Sequence, residues 1–369
     1  MRPELASGDR VVVKIGTASL VGAAGEPDEE RMRALCAQIA RVREEGVDVV
    51  LVSSGAIAAG LGLLRIGTRP TDIPSLQAAA AVGQGRLLAR YMRVMAEFDL
   101  LSAQMLLTRY DFMHRQQYLN ARNTLDRLLS LGAVPVVNEN DTIAVDEIRF
   151  GDNDRLAALV ANLARARLLL LLTDAKGLHA VDPRRDPDAP VIDEVERITP
   201  ELERAAGGRG SEHATGGMAS KIAAAWVATF SGVGVVVADS SESEVVARAV
   251  HGERVGTFFH PRPHRASARR LWIAFGQPPR GTVVVDEGAR RAVVEGKRSL
   301  LPVGVVEIRG RFDSGNTVDV ATDNDTVFAR GLVRYSSEEL EQARGRPTAE
   351  LEGREVIHRD QLVVLEEET

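Results

Sequence analysis

Cysteine is all but missing from this chain. Cys36 is the only one in 369 residues, which excludes an internal disulfide and leads us to expect a cytoplasmic protein. It shares a helical face with Met32, Leu35 and Ile39 and so reads as core packing. Lysine is nearly as scarce: of 46 basic residues only Lys14, Lys176, Lys221 and Lys297 are lysines. Such a bias towards arginine points to lysine being kept where a compact, mobile ammonium is needed and a planar fork will not fit. No apolar run approaches the ~20 residues of a membrane helix, and Met1-Arg2-Pro3-Glu4 lacks the apolar segment of a signal peptide. No membrane partner is expected. The formal charge of −6 gives no general reason to bind nucleic acid or anionic lipid.

Familiar nucleotide motifs are also absent. Gly60-Leu61-Gly62 lacks the third glycine of a dinucleotide fingerprint, Arg65 standing in its place. Thr215-Gly216-Gly217-Met218-Ala219-Ser220-Lys221 is not a P-loop, because Ser220 precedes the lysine and Ile222 follows it. His260 and His264 have no cysteine or acidic partners at zinc spacing.

What is present is a globular composition, 44% hydrophobic and 27% charged, at a length that suggests two or three domains. Residues 10–17 read as a strand running into a tight turn, without alternation, as suits a parallel sheet buried on both faces. A lysine in such a strand is costly unless it meets an anion, so Lys14 is a functional candidate at the strand's end. Helical spacing covers 28–45, and 47–52 is a second buried strand. Ser53-Ser54-Gly55 then turns into a helix, a place where small residues and N–H groups face a ligand. Helices are expected at 75–98 and 115–130, strands at 103–107 and 133–137. The second of these strands opens into Asn138-Glu139-Asn140-Asp141-Thr142. Another polar knot, Gly151-Asp152-Asn153-Asp154, precedes a helix. Both knots fit strand ends and helix starts on one edge of an α/β sheet, where ligands bind; turns and N-caps are their simpler reading. A continuous strand at 168–172 ends in Thr173-Asp174. The glycine-containing stretch 215–221 then opens a helix, either an ordinary start after a loop or one whose free N–H groups and Lys221 favour a polyphosphate. A strand at 234–238, a helix at 243–250 and a short strand at 256–259 complete this part.

Composition changes at residues 260–270, a basic, proline-containing linker. Beyond it come short strands at 282–285, 303–309, 317–321 and 327–330, separated by glycines. We therefore expect three segments: residues 1–259, the linker 260–270, and a small β-rich domain over 271–369.

Taken together, the sequence resembles the amino-acid kinase family, followed by a PUA domain. The resembling stretches are Val12-Val13-Lys14-Ile15-Gly16-Thr17, Ser53 to Gly60, Gln104 to Thr108, Asn120 to Thr124, Pro135 to Asp141, Gly151 to Asp154, Leu172 to Asp174 with Lys176-Gly177-Leu178, and Thr215 to Lys221. The PUA-like part rests on Asp286 to Ala289, Ser299 to Gly304 and Ala329 to Gly331. Ser53 replaces a common threonine, and His179 stands where the family commonly has an aromatic residue beside the nucleotide.

The resemblance implies a three-layer α/β/α sandwich with a mainly parallel sheet, plus the small PUA domain. It implies transfer of the γ-phosphoryl group of ATP, with Mg²⁺, to the γ-carboxylate of L-glutamate, giving L-glutamyl 5-phosphate in the first step of proline biosynthesis. Lys14 and Lys221 would stabilise the transferring phosphoryl group, with Asp174 orienting them. Thr173, Asp174 and Thr215, Gly216, Gly217, Met218, Ala219, Ser220 and Lys221 would hold ATP. Ser54, Gly55, Asp141 and Asn153 would bind glutamate, Asp141 at its α-ammonium, with Asp152 and Asp154 as neighbours. Feedback inhibition by proline, homo-oligomers and a glutamyl-phosphate reductase partner are family expectations. Two other readings stay open: a different acceptor, such as N-acetylglutamate or aspartate, and RNA binding by the PUA-like domain, against which the sparse aromatics count.

Overall fold

A strand buried along its length must be covered on both faces, and the central strands of the first part of this molecule are of that kind. The computed structural model describes the chain except residues 1, 21–27, 144–152, 182–185, 187, 200–201, 203–216, 264–265, 276–278, 352 and 366–369. It divides into two units, Met1–Arg265 and Ala266–Thr369.

In the first unit β1 (Arg10–Ile15) is buried from Val11 onward. It lies between β2 (Asp48–Ser53) and β5 (Leu168–Thr173), parallel to both. With β3 (Ser102–Leu107), β4 (Val134–Glu139), β6 (Glu194–Val195), β7 (Gly234–Asp239) and β8 (Thr257–Phe259), they form a sheet ordered β3-β4-β2-β1-β5-β7-β8-β6. Among the described residues, only the β7–β8 pair is antiparallel.

The period of two along β1 sorts its side chains. Val11, Val13 and Ile15 enter a core shared with α2 (Glu29–Glu44), α4 (Ile73–Ala96) and α9 (Val245–Val250). Val12 and Lys14 therefore face the other layer, where α7 (Asn153–Leu163) packs on β1 and on α8 (Met218–Phe230). This is the three-layer arrangement expected from the sequence. α2 starts at Asp28, whose carboxylate accepts the N–H groups of Glu30 and Arg31, and it ends with Arg41 and Arg43 against its negative pole. α1 (Thr17–Leu20) is a single turn, and α6 (Arg115–Ser130) occupies the expected span. α5 (Arg109–Met113) is among the helices not expected from the sequence; there Asp111 reaches back to accept the Thr108 N–H at 2.7 Å.

α3 (Ala56–Leu63) and α4 are in direct backbone contact. A Cβ on Gly60 would collide with the Ala79 carbonyl, and one on Gly83 with that of Ala56. These paired glycines hold the start of α3, and with it the Ser53–Gly55 turn, against α4.

The second unit contains a five-stranded sheet ordered β10-β9-β11-β12-β13. Its strands are β9 (Gly281–Val285), β10 (Val305–Gly310), β11 (Thr317–Ala321), β12 (Val327–Leu332) and β13 (Leu362–Val364). The helices α10 (Ala268–Phe275), α11 (Glu287–Val294) and α12 (Ser337–Ala343) accompany them. α10 begins inside the stretch read as linker. Pro302 opens a 3₁₀ turn, so β10 starts at Val305 and not at residue 303. Arg330 and Asp319 form a buried ion pair at 2.7 Å, and Arg330 also donates to the Ala274 carbonyl.

Because Gly83 is clamped and Gly85 has open space, Gly83→Ala should destabilise the fold by about 1–3 kcal/mol. Gly85→Ala, on the same helix, should be neutral or stabilising by up to about 1 kcal/mol. Chemical denaturation of the two variants measures this; equal midpoints would mean that the α3–α4 contact is not tight.

Candidate active site

The functional candidates among the described residues gather at the carboxyl ends of the central parallel strands. Ile15 of β1 is in register with Ser53 of β2 on one side and with Leu172 of β5 on the other. In open α/β sheets this edge carries ligands, since the following helices begin there and direct their unpaired N–H groups inward. α7 begins at Asn153 and α8 at Met218, with Gly217 as its N-cap.

Lys14, Asp154 and Lys221 meet here. The Asp154 side chain is fully buried, and those of Lys14 and Lys221 are 6% and 5% exposed. The Lys14 ammonium pairs with Oδ1 of Asp154. The Lys221 Nζ donates to Oδ2 at 3.2 Å, and the Ser220 hydroxyl donates to the same oxygen at 2.9 Å. Burial pushes the Asp154 carboxyl up, but Lys14, Lys221 and the Lys14 and Ser220 hydrogen bonds outweigh it, so its pKa lies below the ordinary carboxylate range. Within this trio two positive charges face one negative. The two ammonium groups and the α8 N-terminus together suit an anion.

The resemblance implies Asp174 as the group that orients the lysines and Asp154 as a neighbour of the acceptor, and the contacts divide these parts differently. Asp174 is exposed and accepts a hydrogen bond from Thr173 Oγ1 at 3.0 Å; both ammonium groups are held by Asp154. The cause is local. Asp174 leaves β5 into an outward bend, whereas Asp154 lies in the first turn of α7, the helix packed directly on β1. A carboxylate one residue inside a helix N-terminus, ahead of an apolar run, is the signal available in the sequence.

Asn153 ties a second group together. Its Nδ2 donates to the Ser53 carbonyl at 3.0 Å, Ser54 Oγ at 3.1 Å and Asn138 Oδ1 at 2.7 Å. Asn138 Oδ1 also accepts the Glu139 N–H at 2.9 Å, and Asn138 Nδ2 donates to Gln84 Oε1 at 2.7 Å. Behind the turn, Ser53 Oγ is 2.9 Å from the hydroxyl of the fully buried Tyr91. Gly55, at φ 106°, takes the left-handed conformation that starts α3. Gln84 and Tyr91 lie outside the candidates that the sequence suggests, and Asn138 has no role of its own among them. A lone amide between Gly83 and Gly85 in an alanine-rich helix is the one hint.

Thr173 closes β5, and the loop after it is pinned where the buried Thr257 hydroxyl accepts the Leu178 N–H at 2.8 Å and donates to the Ile192 carbonyl at 2.6 Å. Met218, Ala219 and Ser220 form the partly buried first turn of α8. Asp141 is half-buried on the turn after β4. Thr215, Gly216 and Asp152 lie outside the described residues.

Comparison with known proteins adds to this geometry. The amino acid kinase family matches residues 9–239, and the PUA domain matches residues 281–353. A protein named glutamate 5-kinase from Geobacter sp. (strain M21) is 48% identical, covering 96% of this chain and 97% of its own length. One of the same name from Caldanaerobacter subterraneus subsp. tengcongensis is 47% identical, covering 97% and 98%. Among solved structures, an aspartate kinase from Synechocystis aligns with a TM-score of 0.48 at 19% identity, over 70% of this chain and 41% of its own.

The folded-state pKa of Asp154 lies below its unfolded value. Its pairing therefore stabilises the fold at every pH above about 4, and that contribution disappears as acid protonates the carboxylate. Asp154→Asn should cost about 3 kcal/mol at neutral pH and flatten the acid limb of a stability–pH curve obtained by denaturant titration. A variant with the wild-type acid limb would remove Asp154 from this role.

Proposed function

The chain belongs to the amino acid kinase family, and we propose that it transfers the γ-phosphoryl group of ATP to the γ-carboxylate of L-glutamate, giving L-glutamyl 5-phosphate, the first step of proline biosynthesis. The observation that carries this reading is the convergence of Lys14 and Lys221, from opposite parts of the chain, on the one buried carboxylate of Asp154. Near-full-length likeness to proteins named glutamate 5-kinase supports the choice of acceptor.

The chemistry asks little of the protein beyond alignment and charge. A carboxylate with an ordinary pKa of about 4.3 is ionised at neutral pH, so the nucleophile needs no general base. Charge develops on the phosphoryl oxygens between donor and acceptor, and fixed positive groups there lower the barrier. In our reading Lys14 and Lys221 supply those groups, and Asp154 holds both ammoniums in place. Gly217, Met218, Ala219, Ser220 and Lys221, with Thr215 and Gly216 ahead of them, receive the ATP phosphates at the α8 N-terminus; Thr173 and Asp174 line the nucleotide side. Ser54, Gly55 and Asn153 receive the acceptor, Asp141 its α-ammonium, and Asp152 belongs to the same neighbourhood.

Mg²⁺ fits this cleft as a cation carried by the nucleotide. Among the described residues, no group of three or more His, Cys, Asp or Glu side chains is placed to hold a metal. Mg²⁺ typically retains water and takes most other ligands from phosphates, and when bound it would neutralise charge on them. Regulation by proline at the acceptor site, a homo-oligomeric state, cytoplasmic residence and hand-over of the acyl phosphate to a reductase complete the proposal. No described helix is long and apolar enough to cross a membrane.

Lys221→Ala should lower kcat by about 100-fold or more, with a much smaller effect on glutamate KM. Asp141→Ala should instead raise glutamate KM by roughly tenfold or more, the worth of a hydrogen bond to a charged group. Steady-state kinetics separate the two; unchanged values in both would overturn these roles. Hydroxylamine trapping with each acid in turn should give the hydroxamate from glutamate, and trapping from N-acetylglutamate or aspartate but not glutamate would reassign the acceptor.

A further inference from the structure

The hydrogen-bonded line that begins at Ser54 and Asn153 ends at Gln84, on a helix to which no site role has been given. α4 reaches this point because Gly83, one residue earlier, packs against the Ala56 backbone. The orientation of each amide in the line follows from its partners. Asn138 Oδ1 accepts from Asn153 Nδ2 and from the Glu139 N–H, so the group it turns to Gln84 is its NH₂. Gln84 answers with its carbonyl oxygen, 2.7 Å away. The Gln84 NH₂ is then the outward end of the line. Gln84 is half-buried, and among the described residues its Nε2 donates to no acceptor.

We infer that Gln84 is an acceptor-binding residue whose amide N–H groups take the α-carboxylate of glutamate. This rests on the glutamate reading above. The γ-carboxylate belongs beside Lys14 and Lys221, next to Asp154. Gln84 stands two amides further along the line from Asn153, at the opposite end. Asn138 and Asp141 flank the end of β4, so the N–H donors of Gln84 and the carboxylate of Asp141 offer one partner each to the α-carboxylate and the α-ammonium. A neutral donor suits this place, since a further cation would compete with the lysines for the negative ends of glutamate and blur which carboxylate is presented to ATP.

Two full-length variants test it. Gln84→Glu keeps an oxygen for Asn138 but removes the donors and sets a negative charge against the substrate carboxylate. Gln84→Met keeps the bulk and removes both functions. Glutamate KM should rise about tenfold or more in Gln84→Glu, above the rise in Gln84→Met, with ATP KM within about twofold of wild type in both. A residue that merely propped Asn138 would give the reverse order, Glu near wild type and Met worse, and that order overturns the inference. So does a glutamate KM within about threefold of wild type in Gln84→Glu. Wild-type enzyme run alongside separates the two levels: no acyl phosphate from glutamate in that control sinks the underlying reading as well, whereas normal wild-type turnover with an indifferent Gln84→Glu sinks only this one.

Discussion

A carboxylate with no exposure to solvent has to be paired, and Asp154 is paired twice. That constraint ties the first strand, the seventh helix and the eighth helix to one point. Burying a carboxylate is costly by itself, so the Asp154 position is tenable only while both ammonium groups are in place. The lysines are restrained in turn. Each carries a flexible four-carbon stem, and the shared carboxylate removes most of that freedom before any substrate arrives. In the proposed reaction, pre-organisation of this kind would spare the cost of gathering charge around the phosphoryl group.

The two halves of the cleft are restrained by different physics. On the side of the buried trio, where we propose the phosphates bind, the determinants are charges and the N-terminus of α8. On the other side, proposed for the acceptor, they are neutral amides and hydroxyls in a line, each with its donor and acceptor ends assigned by its neighbours. Buried neutral networks reward complete pairing and penalise any missing member. The backing of the Ser53–Gly55 turn by Tyr91 and by the glycine contacts of α3 with α4 belongs to the same design. Geometry on this side is imposed by the hydrophobic core itself.

Much of this is legible in the residues. Apolar runs without alternation announce the parallel sheet, and the scarcity of lysine by itself directs attention to four positions, Lys14 and Lys221 among them. The polar knots after 137 and before 156 mark the right edge of the sheet. The pairing of individual side chains is less legible. Asp154 and Asp174 are both acidic residues beside a strand end or helix start, and only the packing of α7 onto β1 distinguishes the buried one from the exposed one. Gln84 and Tyr91 are hidden for another reason. They sit on a helix whose periodicity is satisfied by core packing, so apart from the amide between the two glycines nothing local sets these positions apart. The short α5 escapes because its stability lies in a capping interaction and not in an apolar repeat.

The three members of the buried trio are residues 14, 154 and 221, and none can be supplied by a neighbour in sequence. During synthesis the first lysine emerges long before the carboxylate that will hold it, and the second ammonium later still. A nascent chain that has not released the start of α8 therefore lacks the charge constellation altogether, however well its early strands have paired. The trio is therefore completed late and in one step, and no piece of the chain that stops short of α8 holds it.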